Sequence, residues 1–155
     1  MLFYTHIFLG IVSFLLMGRF FNGGNEIIFF FLVLIGSVLP DIDEAKSKVN
    51  KSLGMVGWVV SFFSKHRGMF HSAIFGGLLF LVISLVSNSY YGYGLLIGYF
   101  AHILGDGLTP RGIKLFYPFS EFKIKGPLRV GGVGEWALFV GLVVIVIRDL
   151  LLGIF

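Results

Sequence analysis

Five long apolar runs, each bordered by a short polar island, constrain what this chain can become more than any other feature of it. They cover residues 2–18, 27–39, 72–86, 94–108 and 136–152. All four histidines and three of the four aspartates lie in the islands Thr5-His6, Pro40-Asp41-Ile42-Asp43, His66-Arg67-Gly68-Met69-Phe70-His71-Ser72 and His102-Ile103-Leu104-Gly105-Asp106. An ionisable group near hydrocarbon costs several kcal/mol unless it is paired, hydrated or metal-bound. So many potential metal ligands in so apolar a chain call for a shared explanation, and a metal centre at one membrane face is the simplest.

The chain is 57% hydrophobic and only 13% charged. Soluble domains carry about 25% charged residues, so the composition points to a membrane protein. The expected fold is all-α: a multi-spanning membrane helix bundle of about five spans forming one integral-membrane domain over residues 1–155. The run 27–39, about 20 Å as a helix, is thin for a full span. Between spans two and three, residues 55–63 are apolar but too short to cross, and read as a re-entrant or interfacial helix. Residues 109–134 hold Pro110, Pro118, Pro127 and several glycines, and read as turns with a short hairpin. The first run lacks a basic flank and a small-residue cleavage site, and reads as a retained span. The absence of cysteine excludes disulfides, thiolate metal sites and cysteine nucleophiles.

Five spans put the N-terminus and the long connections 40–71 and 109–134 on one side. Ten of the twelve basic residues fall there: Lys46, Lys48, Lys51, Lys65, Arg67, Arg111, Lys114, Lys123, Lys125 and Arg129. Only Arg19 and Arg148 lie opposite. The positive-inside rule then predicts a multi-pass protein of the cell (inner, cytoplasmic) membrane, N-terminus cytoplasmic and C-terminus external. The net charge of +4 is read as contact with anionic lipid headgroups rather than nucleic acid. His6, Asp41, Asp43, His66, His71, His102, Asp106 and Glu135 all map to that cytoplasmic face, although lysines and arginines alone set the topology.

His102 and Asp106, at i and i+4, share a helical face. Pro40 interrupts the second run, and an extended turn would let both Asp41 and Asp43 point inward. His66 is expected in the loop and His71 at a helix start. Four imidazoles and three carboxylates suffice for two divalent ions, zinc foremost, with manganese, iron or nickel as other candidates. A metal pair acidifies a bound water and clamps the attacking and leaving oxygens of a displacement. Singly, each residue has a plainer reading as a packing histidine, a turn cap or an intrahelical pair; clustering on one face favours the metal. Ser72 and Thr109 read equally well as helix caps or as donors supporting the ligands. Glu135 is a helix-start residue or a further ligand.

These residues, in this order, resemble the membrane-bound metal-dependent hydrolase family of YdjM-like inner-membrane proteins. The resemblance rests on Thr5-His6, Gly36-Ser37-Val38-Leu39-Pro40-Asp41-Ile42-Asp43, His66-Arg67-Gly68 with His71-Ser72, and Gly98 through His102 to Asp106. Thr109-Pro110-Arg111-Gly112-Ile113 and Tyr117-Pro118-Phe119 continue it, so it covers nearly all of the chain to about residue 120. Phe70 stands where a threonine is expected, which removes a hydroxyl but no ligand. The resemblance implies a multi-spanning protein with metal-dependent hydrolase activity on a substrate the family name does not fix.

The expected function is therefore hydrolysis of a phospholipid or lipid-linked phosphoester at the cytoplasmic face by metal-activated water. Arg67 would hold the anionic group, because a planar guanidinium matches phosphate oxygens. Asp43 would act beside it as a catalytic carboxylate as well as a ligand. No HExxH or GxSxG pattern is present, which argues against that metalloprotease class and serine lipases. The alternative is a metal or proton transporter or a metal-binding membrane protein, since intramembrane His and Asp also serve transport. A purely structural metal would leave more ligands than it needs.

Overall fold

Asn, Ser and Gly residues at the borders of the apolar runs supply helix caps, and the chain folds as α-helices joined by short 3₁₀ turns, with no strand among the described residues. The computed structural model describes residues 1–63 and 68–153. The helices are α1 (Phe3–Met17), α2 (Glu26–Val38), α3 (Lys48–Ser52), α4 (Met55–Phe63), α5 (Ala73–Val86), α6 (Ser89–Gly107) and α7 (Val133–Leu152). Asn25, Ser72 and Asn88 start α2, α5 and α6 by accepting the N–H groups of Ile27 and Ile28, of Phe75 and of Tyr91. Gly153, at φ 59, closes α7 in the left-handed conformation.

Each apolar run carries one helix, and α4 occupies the expected short apolar segment. Several details differ from the sequence expectation. The polar stretch after Asp43, to which the sequence assigns no element, is partly helical as α3, because the Ser47 hydroxyl accepts the Asn50 N–H at its start. Helix α6 begins at Ser89 rather than at residue 94, since the Asn88 cap outweighs a tyrosine- and glycine-rich first turn. The turn after α2 is not extended: Leu39–Asp43 is a 3₁₀ helix with Pro40 near its start, where proline's missing N–H costs nothing. The hairpin in 109–134 reduces to one antiparallel bridge, Ile113 with Ile124.

The 18-residue helical stretch Phe3–Phe20, with mean hydropathy 1.5, is long and apolar enough by itself to cross a membrane; α5 is apolar but shorter. Helix α6 is central and packs against α1, α2 and α5, while α7 packs on α1. Glycine makes the α2–α6 contact possible. A Cβ on Gly98 would come within 1.9 Å of the Val33 carbonyl oxygen, and one on Gly36 within 2.2 Å of that of Leu95. Gly94 and Gly98 form a GxxxG pattern that permits such backbone approach.

The distribution of polarity is inverted. The most deeply buried side chains include His6, His71, His102, Asp106, Glu135, Thr5, Thr109 and Ser37. Outside are Leu16, Phe31, Leu81, Leu85, Val144 and Leu151, with Trp58 and Phe62 of α4. A soluble monomer rarely exposes so much contiguous apolar surface.

Candidate metal centre

Four elements deliver the polar islands to one place. The start of α1 brings His6, the 3₁₀ turn after α2 brings Asp41 and Asp43, the turn Met69–His71 brings His71, and the end of α6 brings His102 and Asp106. The start of α6 at Ser89 lies roughly three and a half turns from His102 and nearly five from Asp106, so the cluster sits at one end of the bundle.

His102 is the pivot. Its Nδ1 lies 2.9 Å from the Ser37 carbonyl oxygen, an acceptor that requires the ring proton on Nδ1 and turns the Nε2 lone pair into the cluster. The close glycine seam between α2 and α6 is what brings that carbonyl within reach. His71 Nδ1 stands 3.3 Å from Asp43 Oδ2, a charge contact without hydrogen-bond geometry, and its Nε2 faces inward. The two Nε2 atoms are 3.3 Å apart. Asp106 Oδ2 lies 3.6 Å from the first of them, on His71, and 4.0 Å from the other. Four ligands placed tetrahedrally about 2.0–2.1 Å from zinc stand roughly 3.3–3.4 Å from one another. Two lone pairs and a carboxylate oxygen near that spacing suit a bound cation; without one they repel.

A second group overlaps the first. His6, Asp41 and His102 bring one ligand atom each within 4.8 Å of one another. The His6 and His102 rings stack at 3.8 Å, and Asp41 Oδ1 lies 3.8 Å from His102 Nε2. His6 Nδ1 has no hydrogen-bond partner among the described residues although it is fully buried. Asp106 Oδ1 faces His6 Nε2 at 3.4 Å and the Met1 amino nitrogen at 2.5 Å. Asp106 thus presents one oxygen to each half of the cluster. Asp41 is the cluster member with surface to spare, at 16% exposure. Burial raises its carboxyl from the ordinary aspartate value, against the opposing pull of His6.

The other expected site residues fall around this centre. The Ser72 hydroxyl donates to the Met69 carbonyl and caps α5. The Thr109 hydroxyl donates to the Asp106 carbonyl and ends α6. Glu135 is buried, its two oxygens accepting the N–H groups of Leu2 and Gly131 at 2.6 Å each, so it straps the chain start to α7. His66 and Arg67 lie outside the described residues.

Three contributors escaped the sequence reading. Tyr99 on α6 places its hydroxyl 2.7 Å from the Ser72 carbonyl and 3.1 Å from that of Phe70, clamping the turn that carries His71. The Asn50 amide donates to the Ile42 and Gly57 carbonyls and ties the aspartate turn to α4. Ser37 acts through a backbone carbonyl, for which a sequence has no letter. The GxxxG pattern was the available signal for the seam behind it.

The chain matches the family described as YdjM inner membrane protein over residues 1–154. It is 30% identical over 141 residues to the uncharacterized protein YvsG of Bacillus subtilis, covering 89% of this chain and 87% of that one. It is 32% identical over 108 residues to the inner membrane protein YdjM of Escherichia coli, covering 66% of this chain and 55% of the relative, and equally similar to its Shigella flexneri counterpart. No solved structure matches it.

Proposed function

The chain belongs to the family of YdjM inner membrane proteins, and from that premise we propose that it is a multi-spanning, metal-dependent hydrolase of lipid-linked phosphoesters. Helices α1, α2, α5, α6 and α7 are its spans, α4 lies in the interface, and the basic connections put the metal centre at the cytoplasmic face, with the N-terminus inside and the C-terminus outside. The apolar exterior and polar interior support this arrangement.

The observation that carries the reading is the convergence of the His71 and His102 Nε2 atoms on Asp106, with the Ser37 carbonyl fixing the His102 ring and Asp43 3.3 Å from the far side of His71. His71, His102 and Asp106 Oδ2 form one ligand group. His6 and Asp41, whose ligand atoms gather beside His102, form the other, with Asp106 Oδ1 3.4 Å from His6 Nε2. These groups would hold two divalent ions, zinc foremost, which would supply Lewis acidity toward a phosphoryl oxygen and acidify water. Asp43 holds the His71 ring in place. Asp41, which reaches the surface, is placed to take the proton from water and return it to the leaving oxygen. Overall, the hydroxyl of water joins phosphorus, one P–O ester bond breaks, and the proton leaves on the lipid alcohol. Arg67, adjacent in sequence to His66, is assigned to the anionic group on its guanidinium chemistry alone.

The opposite half of the bundle speaks for hydrolysis over transport. Its core cluster is Phe29, Val33, Tyr90 and Ile97, apolar and aromatic. Elemental analysis of purified protein should find divalent metal, and His102→Ala and Asp106→Ala should each remove most of it. A panel of phospholipids and lipid phosphates should contain a substrate whose hydrolysis chelators abolish. Full metal content in both variants, or no chelator-sensitive hydrolysis of any member, overturns the proposal.

A further inference from the structure

Asp41 lines a cavity of about 420 Å³ whose other polar walls include Glu44, Lys46, Ser47, Lys48 and Arg111. A neighbouring cavity of about 280 Å³ is lined by Thr109, Pro110, Arg111, Arg129 and Val130, so Arg111 borders both. The cleft thus runs from the exposed edge of the metal cluster along a row of cations. Lys48 is already engaged, donating to the Tyr4 hydroxyl at 2.6 Å. Lys46, Arg111 and Arg129 form no ion pair among the described residues. Unpaired cations lining a concavity with a metal cluster at one end form an electrostatic trap for an anion.

Arg111 is also held on a fixed backbone. The Thr109 hydroxyl and N–H both reach the Asp106 carbonyl, and the Gly112 N–H donates to the Thr109 carbonyl at 3.0 Å. Gly112 has φ +65, and a Cβ there would come within 2.4 Å of the Ile124 carbonyl oxygen. The turn carrying Arg111 is therefore anchored to the same helix end that carries Asp106, so the guanidinium's backbone and the ligand keep a set separation.

We propose that this cleft is the headgroup subsite of the hydrolase: Arg111, aided by Lys46 and Arg129, binds the phosphate of a net-anionic lipid and presents it to the Asp41 edge of the cluster. The inference rests on the hydrolase reading and adds its selectivity. A choline or ethanolamine headgroup brings an ammonium against the cationic walls and is rejected, whereas a phosphomonoester headgroup is accepted. The guanidinium fork pairs with two phosphate oxygens at once, which a lysine cannot reproduce.

The test reads binding without turnover. Purified full-length chain in detergent is offered phosphatidic acid or phosphatidylcholine, and retained lipid is measured by native mass spectrometry. The soluble arm offers glycerol phosphate. Phosphatidic acid should be retained at least about tenfold better than phosphatidylcholine. Arg111→Ala should lower its affinity about ten- to hundredfold, the loss typical of a hydrogen bond to a charged group. Arg111→Lys should restore part, Lys46→Ala should cost less, and Lys51→Ala, outside both cavities, should change nothing. Metal content should stay constant throughout. Equal retention of the two lipids, or a preference that survives Arg111→Ala, overturns the subsite. Glycerol phosphate binding as tightly as phosphatidic acid would make the ligand a soluble phosphoester and overturn the lipid assignment. Chelator-sensitive hydrolysis that ignores headgroup charge would sink this inference and leave the hydrolase standing. Selective binding without any hydrolysis would do the reverse.

Discussion

Helices α2 and α6 run the length of the bundle, and their two ends are held together by opposite means. At one end Phe29 and Val33 of α2 meet Tyr90 and Ile97 of α6, with Phe14 and Phe21 packed alongside. The Phe29 and Tyr90 rings sit 4.6 Å apart, Phe21 and Tyr93 4.9 Å. At the other end the same two helices, with the turn that follows α2, contribute Ser37, Asp41, His102 and Asp106. The aromatic end is complete as it stands, because dispersion between rings needs no third party. The polar end brings together groups whose lone pairs converge and repel, an arrangement that a bound cation would relieve. The aromatic end is thus scaffold, and the polar end is where the proposed function is placed.

The largest expected effect falls on what the two ends share. Gly98 lies between them, and any side chain there meets the Val33 backbone, which cannot rotate away. Gly98→Val should force α2 and α6 apart and cost well over about 3 kcal/mol, in the range of severe overpacking and lost hydrogen bonds. Metal content and thermal stability should fall together, measured on protein extracted in mild detergent. Gly77→Ala is the matched control, since a Cβ there meets nothing within 4 Å. A Gly98→Val protein with normal melting and metal would mean that the seam is not the common support.

The next effect separates the ends. Phe29→Ala empties a fully buried ring site and should lower stability by about 3–5 kcal/mol while leaving metal per protein unchanged. Removing metal should do the opposite: chelation costs about 2.7 kcal/mol when the ion was at a hundredfold its dissociation constant. Hydrogen exchange should then quicken around His71 and Asp106 and stay slow around Tyr90. Equal loosening of both ends on chelation would erase the distinction.

How much of this was legible from sequence follows the same divide. Apolar runs and caps are written in side chains, so one helix for each run could be read, as could the joint placement of His6, Asp41, His71, His102 and Asp106. The start of α6 was missed because Tyr90, Tyr91, Gly92 and Tyr93 dilute the apolar signal, although Asn88 announced the cap. The supports of the site were hardest to read. The Ser37 carbonyl acts through the backbone, and Tyr99 looks like any aromatic in a span until the turn it clamps is folded beneath it. Among the described residues only Phe3–Phe20 passes as a span on its own, since α6 and α7 carry His102, Asp106, Glu135 and Asp149, buried within the fold.

The smallest effect probes the scaffold where it touches the site. The Tyr99 hydroxyl donates to the Ser72 carbonyl at 2.7 Å, and the Phe70 carbonyl is 3.1 Å away. Tyr99→Phe leaves buried carbonyls without that donor, for about 1 kcal/mol of stability. Its effect on the metal should be larger than its effect on folding, because the turn it releases carries His71. Loss of such a supporting hydrogen bond typically weakens metal binding about ten- to hundredfold. Ser72→Ala offers the contrast. It removes the cap on the Phe75 N–H, again worth about 1 kcal/mol, and the hydroxyl's bond to the Met69 carbonyl, but keeps the Ser72 N–H bond to that carbonyl and the backbone carbonyl that Tyr99 grips. Competition titration against a metallochromic chelator should show weakened metal in Tyr99→Phe and near-native affinity in Ser72→Ala, at matched loss of melting temperature. If the two variants weaken the metal equally, general loosening and not the tyrosine clamp governs how His71 is held.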